Sequence, residues 1–299
     1  MTPSSSLAGG IAVPLVYAYV DHLAKTAGAR VLAIKGAVAI AHGYRDAGSF
    51  SSDADVIVEP ARFGDFIALL EARGWKRRRE ARAPRYFGTH SASLYREDWP
   101  CDIDVHFRYP GFFADAGEAF DVMWARRVSI SVAHRFISAV DPVVGGIVLA
   151  VHALRDPERS RSRSDLDSVA RRFSESRSDS FDEELVLLAE RLRARFVLVP
   201  LFERIGLDAG PSDLTESEME SWRFVVAGVG STAFHWWVAF RRASFAQRLR
   251  LVPDLLAAVA VASLPRSRTA PDGSMAPPPW RRVRQLRREI REGRSHLER

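Results

Sequence analysis

The sequence predicts an α+β fold: a mixed sheet with flanking helices over residues 1–140, an all-helical domain over 141–264, and a Pro/Arg-rich linker and basic tail over 265–299. Three observations carry this. Before Asp141-Pro142, short runs that alternate or are continuously apolar take turns with runs at helical spacing. After that dipeptide only helical spacing recurs, and residues 265–279 are rich in Pro, Ser and Arg, as flexible connections are. With 299 residues, 47% hydrophobic and 27% charged, the chain can bury one large core or two smaller ones.

The elements follow in order. Residues 1–10 are small and polar and read as loose, and residues 11–27 read as a helix with Val13, Leu15, Val16, Tyr19, Val20 and Leu23 on its apolar face. Residues 30–34 form a short buried strand ending at Lys35-Gly36, and residues 37–42 resume a helix. Strand, glycine turn and helix is an arrangement that presents backbone N–H groups to phosphate. Residues 51–58, SSDADVIV, alternate and then become apolar, as a half-buried strand does. Residues 60–73 read as a helix stopped by Gly74, and two strands follow at 91–95 and 101–107. Helices are expected at 143–154, 166–173, 183–198, 216–226, 232–241 and 245–264. The serine- and charge-rich stretches 156–164 and 174–180 read as exposed connections.

Composition narrows the classes of function. The single cysteine, Cys101, cannot close an internal disulfide, and no secretory leader pattern opens the chain, so a cytoplasmic protein is expected. The apolar stretches at 11–20 and 255–264 are far short of the roughly 20 residues that cross a bilayer, so no membrane partner is expected. A net charge of +6 and a pI near 9.9, carried mostly by arginine, allow a phosphate-bearing partner. They equally suit solvated faces in an arginine-rich composition. Clustered Cys/His spacing is absent, which excludes a structural zinc site, and no Ser/His/Asp or Cys/His arrangement suggests covalent catalysis.

The chemistry concentrates on two strands. Asp53 and Asp55, two residues apart, project from one face, and Asp102, Asp104 and His106 share one face of the later strand. Magnesium prefers oxygen ligands supplied by a few carboxylates, substrate phosphates and water. An Asp-x-Asp alone is weak evidence, since a wet strand end looks the same, and the second strand could be an edge with a solvated outer face. Acidic residues between apolar neighbours on two strands are, however, costly to bury without a counter-charge. His106 reads as a ligand or as a partner that orients Asp104. His90 and His152 read as partly buried, satisfied histidines. The aromatic run from Phe234 to Phe240 reads as helix packing.

Taken in order, Lys35-Gly36-Ala37, Ser52-Asp53-Ala54-Asp55 followed by Val56-Ile57-Val58, and Asp104-Val105-His106 resemble a poorly characterised bacterial nucleotidyltransferase family of the DNA polymerase beta superfamily. The resemblance covers the first half of the chain and implies a polymerase-beta-like sheet. It also implies that Asp53, Asp55 and Asp104 hold two magnesium ions, and that Asp104 can accept the nucleophile's proton. Lys35, Gly36 and Ser52 would contact the triphosphate of an NTP donor, while Asp102 and His106 would support the ligands. The family's glycine pair is Gly36-Ala37 here, and its usual arginine before the first aspartate is replaced by Ser49 and Phe50. Arg45 reads as its substitute or as a solvated loop residue.

The implied reaction moves an NMP from an NTP to a hydroxyl on a small molecule, a peptide product or an RNA end. A toxin-like tRNA nucleotidyltransferase and a non-catalytic nucleotide-binding module are the alternatives.

Overall fold

The computed structural model describes residues 9–49, 51–78, 90–212, 214–227 and 251–253. Nine α-helices and seven strands are assigned among them: α1 (Gly9–Ala27), β1 (Val31–Ala33), α2 (Gly36–Ala41), β2 (Asp53–Val58), α3 (Phe63–Ala72), β3 (Lys76–Arg77), β4 (Ser91–Tyr95), β5 (Asp102–His106), α4 (Ala116–Ala125), β6 (Val128–Val132), β7 (Arg135–Ala139), α5 (Pro142–Leu154), α6 (Ser160–Glu175), α7 (Asp179–Arg191), α8 (Arg195–Ile205) and α9 (Glu216–Ala227). The strands make one sheet in the order β3-β4-β5-β2-β1-β7-β6. It is mixed: β2 runs parallel to β5 and antiparallel to β1, and β1 runs parallel to β7. The expected fold class is therefore observed.

Local sequence explains the main elements. Ala12, Val13, Val16, Tyr17, Val20, Leu23 and Ala24 form the buried face of α1, at i, i+1, i+4 spacing. This corrects the expected apolar face, because Leu15 is 37% exposed while Tyr17 is turned inward. β2 is buried from Ala54 to Val58, as a strand between two neighbours must be. β5 is likewise an interior strand, not an edge, because β4 pairs antiparallel along its other side.

A hairpin absent from the sequence reading, β6–β7, closes the far edge. Its two linking residues, Ala133 and His134, both take positive φ (49° and 58°), the geometry of a two-residue hairpin turn, without the usual Asn or Gly.

The helices after Asp141 pack around α5, whose side chains are buried almost all round. Asp141 caps it by accepting from the Val144 N–H at 2.8 Å, and Arg126 reaches the same carboxylate at 2.5 Å. Two segments differ from expectation. The serine-rich stretch at 156–164 is not wholly a connection: α6 begins at Ser160 and buries Ser162 and Asp165. The single helix expected over 183–198 is two, broken where Arg193 takes φ 48° and accepts a new helical direction at Ala194.

Met1–Arg78 with His90–Met219 form one compact unit containing the sheet and α1–α8. Of the other unit, Arg79–Thr89 with Glu220–Arg299, the described residues are the end of α9, where Trp222 and Phe224 are buried, and a helical segment at 251–253. The helix expected at 232–241, the aromatic run from Phe234 to Phe240, the helix expected at 245–264 apart from residues 251–253, and the linker and tail at 265–299 lie outside the described residues. Among the described residues, no helix is long and apolar enough to cross a membrane.

Candidate active site

The parallel register of β2 and β5 sets the site. Asp53 lies opposite Asp102 and Asp55 opposite Asp104, so all four carboxylates and His106 share one face of the sheet. Side-chain ligand atoms of Asp55, Asp104 and His106 come within 4.8 Å of one another. Asp53 is not in that group. It sits one step nearer the strand end, where the Ser51 hydroxyl donates to its carboxylate at 2.9 Å and Ser52 approaches at 3.5 Å. Asp102 is engaged elsewhere, in a two-pronged ion pair with Arg78 at 2.5 and 2.7 Å.

Asp55 is the most enclosed of these residues. Its backbone N–H donates to the Tyr17 hydroxyl at 3.0 Å, the Lys35 ammonium lies 2.5 Å from its carboxylate, and His106 Nε2 lies 3.4 Å from the same oxygen. Burial pushes the Asp55 carboxyl upward, but Lys35 and then His106 outweigh burial and bring it down to about 2. Burial likewise works against the Lys35 charge, and Asp55 more than offsets it, holding the ammonium above its ordinary range.

Asp104 stands in the opposite situation. Burial, then the negative charges of Asp55 and Asp53, push its carboxyl up to about 6 despite a hydrogen bond from Ser93. Burial depresses His106 even beside Asp55, and burial together with neighbouring cationic groups brings His90 and His152 down to about 3. All three are neutral imidazoles at neutral pH. Buried Nδ1 of His106 has no hydrogen-bond partner among the described residues.

The Lys35-Gly36 turn is strained for a reason. Lys35 takes φ 54° and Gly36 φ 41°, and a Cβ on Gly36 would stand 2.6 Å from the Tyr17 hydroxyl. The glycine therefore leaves room for the phenol that holds the Asp55 backbone. Sequence reasoning missed Tyr17, Ser93 and Tyr109, whose ring lies 5.8 Å from His106. Tyr17 was detectable from the spacing of the buried positions on α1; a lone serine and a lone tyrosine carried no signal.

Arg45, left open above, is neither solvated nor free. It forms two bonds to Asp165 of α6, at 2.8 and 2.6 Å.

The donor set suits a divalent cation: carboxylates on adjacent strands, an imidazole, and a carboxyl, Asp104, raised by burial first and by neighbouring negative charge second. A mixed sheet carrying such a set behind a strand–glycine–helix turn defines a nucleotidyltransferase-like class. The chain belongs to the family described as uncharacterised nucleotidyltransferase, which it matches over residues 17–201.

Similar solved structures include an antigenic nucleotidyltransferase-like protein from Paracoccidioides brasiliensis, 11% identical over 64% of this chain and 93% of that one, with a TM-score of 0.39. The antibiotic-resistance factor ANT(2'')-Ia is 13% identical over 83% of this chain and 95% of its own, with a TM-score of 0.33. A tRNA-processing enzyme is 14% identical over 93% and 97%, with a TM-score of 0.26. No curated protein matches the chain.

Proposed function

We propose that the chain transfers an NMP from an NTP to a hydroxyl acceptor in a reaction dependent on divalent cations, magnesium being the natural choice. The observation that carries this reading is the register that sets Asp55 opposite Asp104 on one face, with Asp53 one step along and His106 within reach. Asp53, Asp55 and Asp104 would hold two ions, with the His106 imidazole beside them. Bound there, the cations would polarise the α-phosphoryl group and offset charge on the leaving pyrophosphate.

The chain's own groups do the rest. As the acceptor oxygen bonds to the α-phosphorus, the bond from that phosphorus to the bridging oxygen breaks and pyrophosphate leaves. The acceptor's proton would pass to Asp104, the carboxylate that stands across the rung from Asp55. Lys35, Gly36 and Ser52, which flank the ends of β1 and β2, would hold the triphosphate. Lys35 also keeps Asp55 ionised. No covalent protein nucleophile is required, since positioning and charge neutralisation account for most of the acceleration in phosphoryl-type transfer.

On this reading residues 1–140 form the catalytic domain, residues 141–264 contribute the acceptor side, and residues 265–299 form a linker and basic tail. Incubation with α-labelled NTPs, magnesium and either total RNA or a small-molecule extract tests it. Labelled product with release of pyrophosphate, abolished by Asp55→Asn, is expected. Magnesium and NTP binding with no transfer to either pool would instead identify a non-catalytic nucleotide-binding module.

A further inference from the structure

A cavity of about 740 Å³ opens between the loop that follows α2 and the first three turns of α6. One wall is the loop from Gly43 to Ser49. The other is a helical stripe of Ser160, Arg161, Arg163, Ser164, Ser168 and Arg171. The volume is that of an ordinary small-ligand site, yet the lining is guanidinium and hydroxyl groups where such sites are usually apolar. Guanidinium forks and hydroxyl donors are the groups that bind phosphate oxygens.

Of the three acidic residues in the wall, two are paired, and the third, Asp46, is exposed beside three exposed arginines, Arg161, Arg163 and Arg171. Asp165 is bound by Arg45 through two short bonds, and Asp167 lies 3.6 Å from Arg204. Arg163 and Arg171 are exposed; the guanidinium of Arg163 is held near Glu158 and that of Arg171 near Ser168 at 3.5 Å. Ser160, Arg163, Ser164, Ser168 and Arg171 recur at helical spacing, so the stripe extends over about 16 Å of helix and can meet more than one phosphate.

Place decides what the phosphate belongs to. The same loop that walls the cavity runs on through Ser51 into Asp53, and Arg45 lines the cavity while lying within electrostatic reach of Asp55. The cavity and the carboxylates are therefore neighbours in the chain and share Arg45 between them. We propose that this cavity holds the acceptor, and that the acceptor carries phosphate. The inference rests on the nucleotidyl-transfer reading above, and it narrows the acceptor from any hydroxyl compound to the end of a polynucleotide or a phosphorylated small molecule.

The test is binding to the full chain in the presence of a chelator, so that the carboxylate site plays no part. Fluorescence anisotropy of a short labelled single-stranded RNA and of labelled AMP is followed at several salt concentrations, for the wild type, Arg163→Gln/Arg171→Gln and Arg163→Lys/Arg171→Lys. Magnesium-dependent ATP binding is measured in parallel by calorimetry. The Gln pair is expected to weaken one of the two labelled ligands about tenfold, with the Lys pair restoring much of it and ATP affinity unchanged. If the ligand is RNA, the slope of log affinity against log salt should also shrink by about 1.4, at roughly 0.7 for each lost phosphate contact. A loss confined to AMP would identify a small phosphorylated acceptor.

Unchanged binding of both ligands, or an equal loss of ATP affinity that assigns the cavity to the donor, overturns the proposal. The two readings fail separately. If RNA or AMP binding depends on the two arginines but no label is ever transferred, the cavity assignment stands while nucleotidyl transfer falls.

Discussion

Asp55 and Asp104 face each other across one rung of the sheet yet are driven in opposite directions, because only Asp55 has an ammonium against it. The consequence for stability can be signed. In the unfolded chain Asp104 would lose its proton near its ordinary value of 3.8, whereas in the fold it keeps the proton to about 6. The folded state therefore binds more protons between these values. Asp104 costs stability as pH rises through that window and imposes its full cost above it. Asp104→Asn, melted in chelator, should be more stable than wild type at pH 7 by about 1–3 kcal/mol, and the gain should vanish below pH 4. A variant less stable at both values would show that the carboxylate is a structural partner. At this scale alternation placed Asp53 and Asp55 on one strand face and Asp102, Asp104 and His106 on another, and the family resemblance singled out Asp53, Asp55 and Asp104 among them. It could not show that Lys35 reaches Asp55 or that Arg45 reaches Asp165, since those pairs depend on how the turn and α6 are placed.

At the scale of elements, the Lys35-Gly36 turn and α1 act together on β2. Gly36 is required both by its positive φ and by the Tyr17 hydroxyl that would meet any Cβ. Tyr17 cannot move aside freely, because it accepts the Asp55 N–H. Gly36→Ala should destabilise by about 1–3 kcal/mol. Part of that should be recovered in a Tyr17→Phe background, where the clashing oxygen is gone; a double-mutant cycle by urea unfolding measures the coupling. Strict additivity would mean that backbone strain alone explains the glycine.

Most elements were legible because their periods are clean: β2, β4 and β5 alternate, and α5 is continuously apolar. The hairpin β6–β7 was hidden because Ala133-His134 is not a recognisable turn dipeptide. The start of α6 was hidden because a serine- and arginine-rich run resembles a solvated connection, although Ser162 and Asp165 are buried.

Across the whole molecule, acid should loosen the fold before the bulk of the carboxylates titrate. His90 and His152 are held neutral down to about 3 by burial, while in the unfolded chain they take up protons near 6.5. Their stabilisation is complete above 6.5 and is lost as pH falls below it. Asp104 opposes this between pH 6 and 4, but two histidines outweigh one carboxyl, each contributing at most about 1.4 kcal/mol per pH unit. Urea midpoints measured from pH 7 to pH 4 should therefore decline steadily; midpoints that rise toward acid would show the histidines to be accessible in the fold.

The pairing of β2 with β5 has a last consequence. Asp55 and Asp104 stand on neighbouring strands, which lie about 4.7–4.9 Å apart. Their separation is thus set by a main-chain ladder, which no loop substitution alters. The loop after α2 and the outer face of α6 hold no rung of that ladder. On the proposed reading, substitutions on those surfaces would change which acceptor is taken and leave the carboxylates of the strands in place.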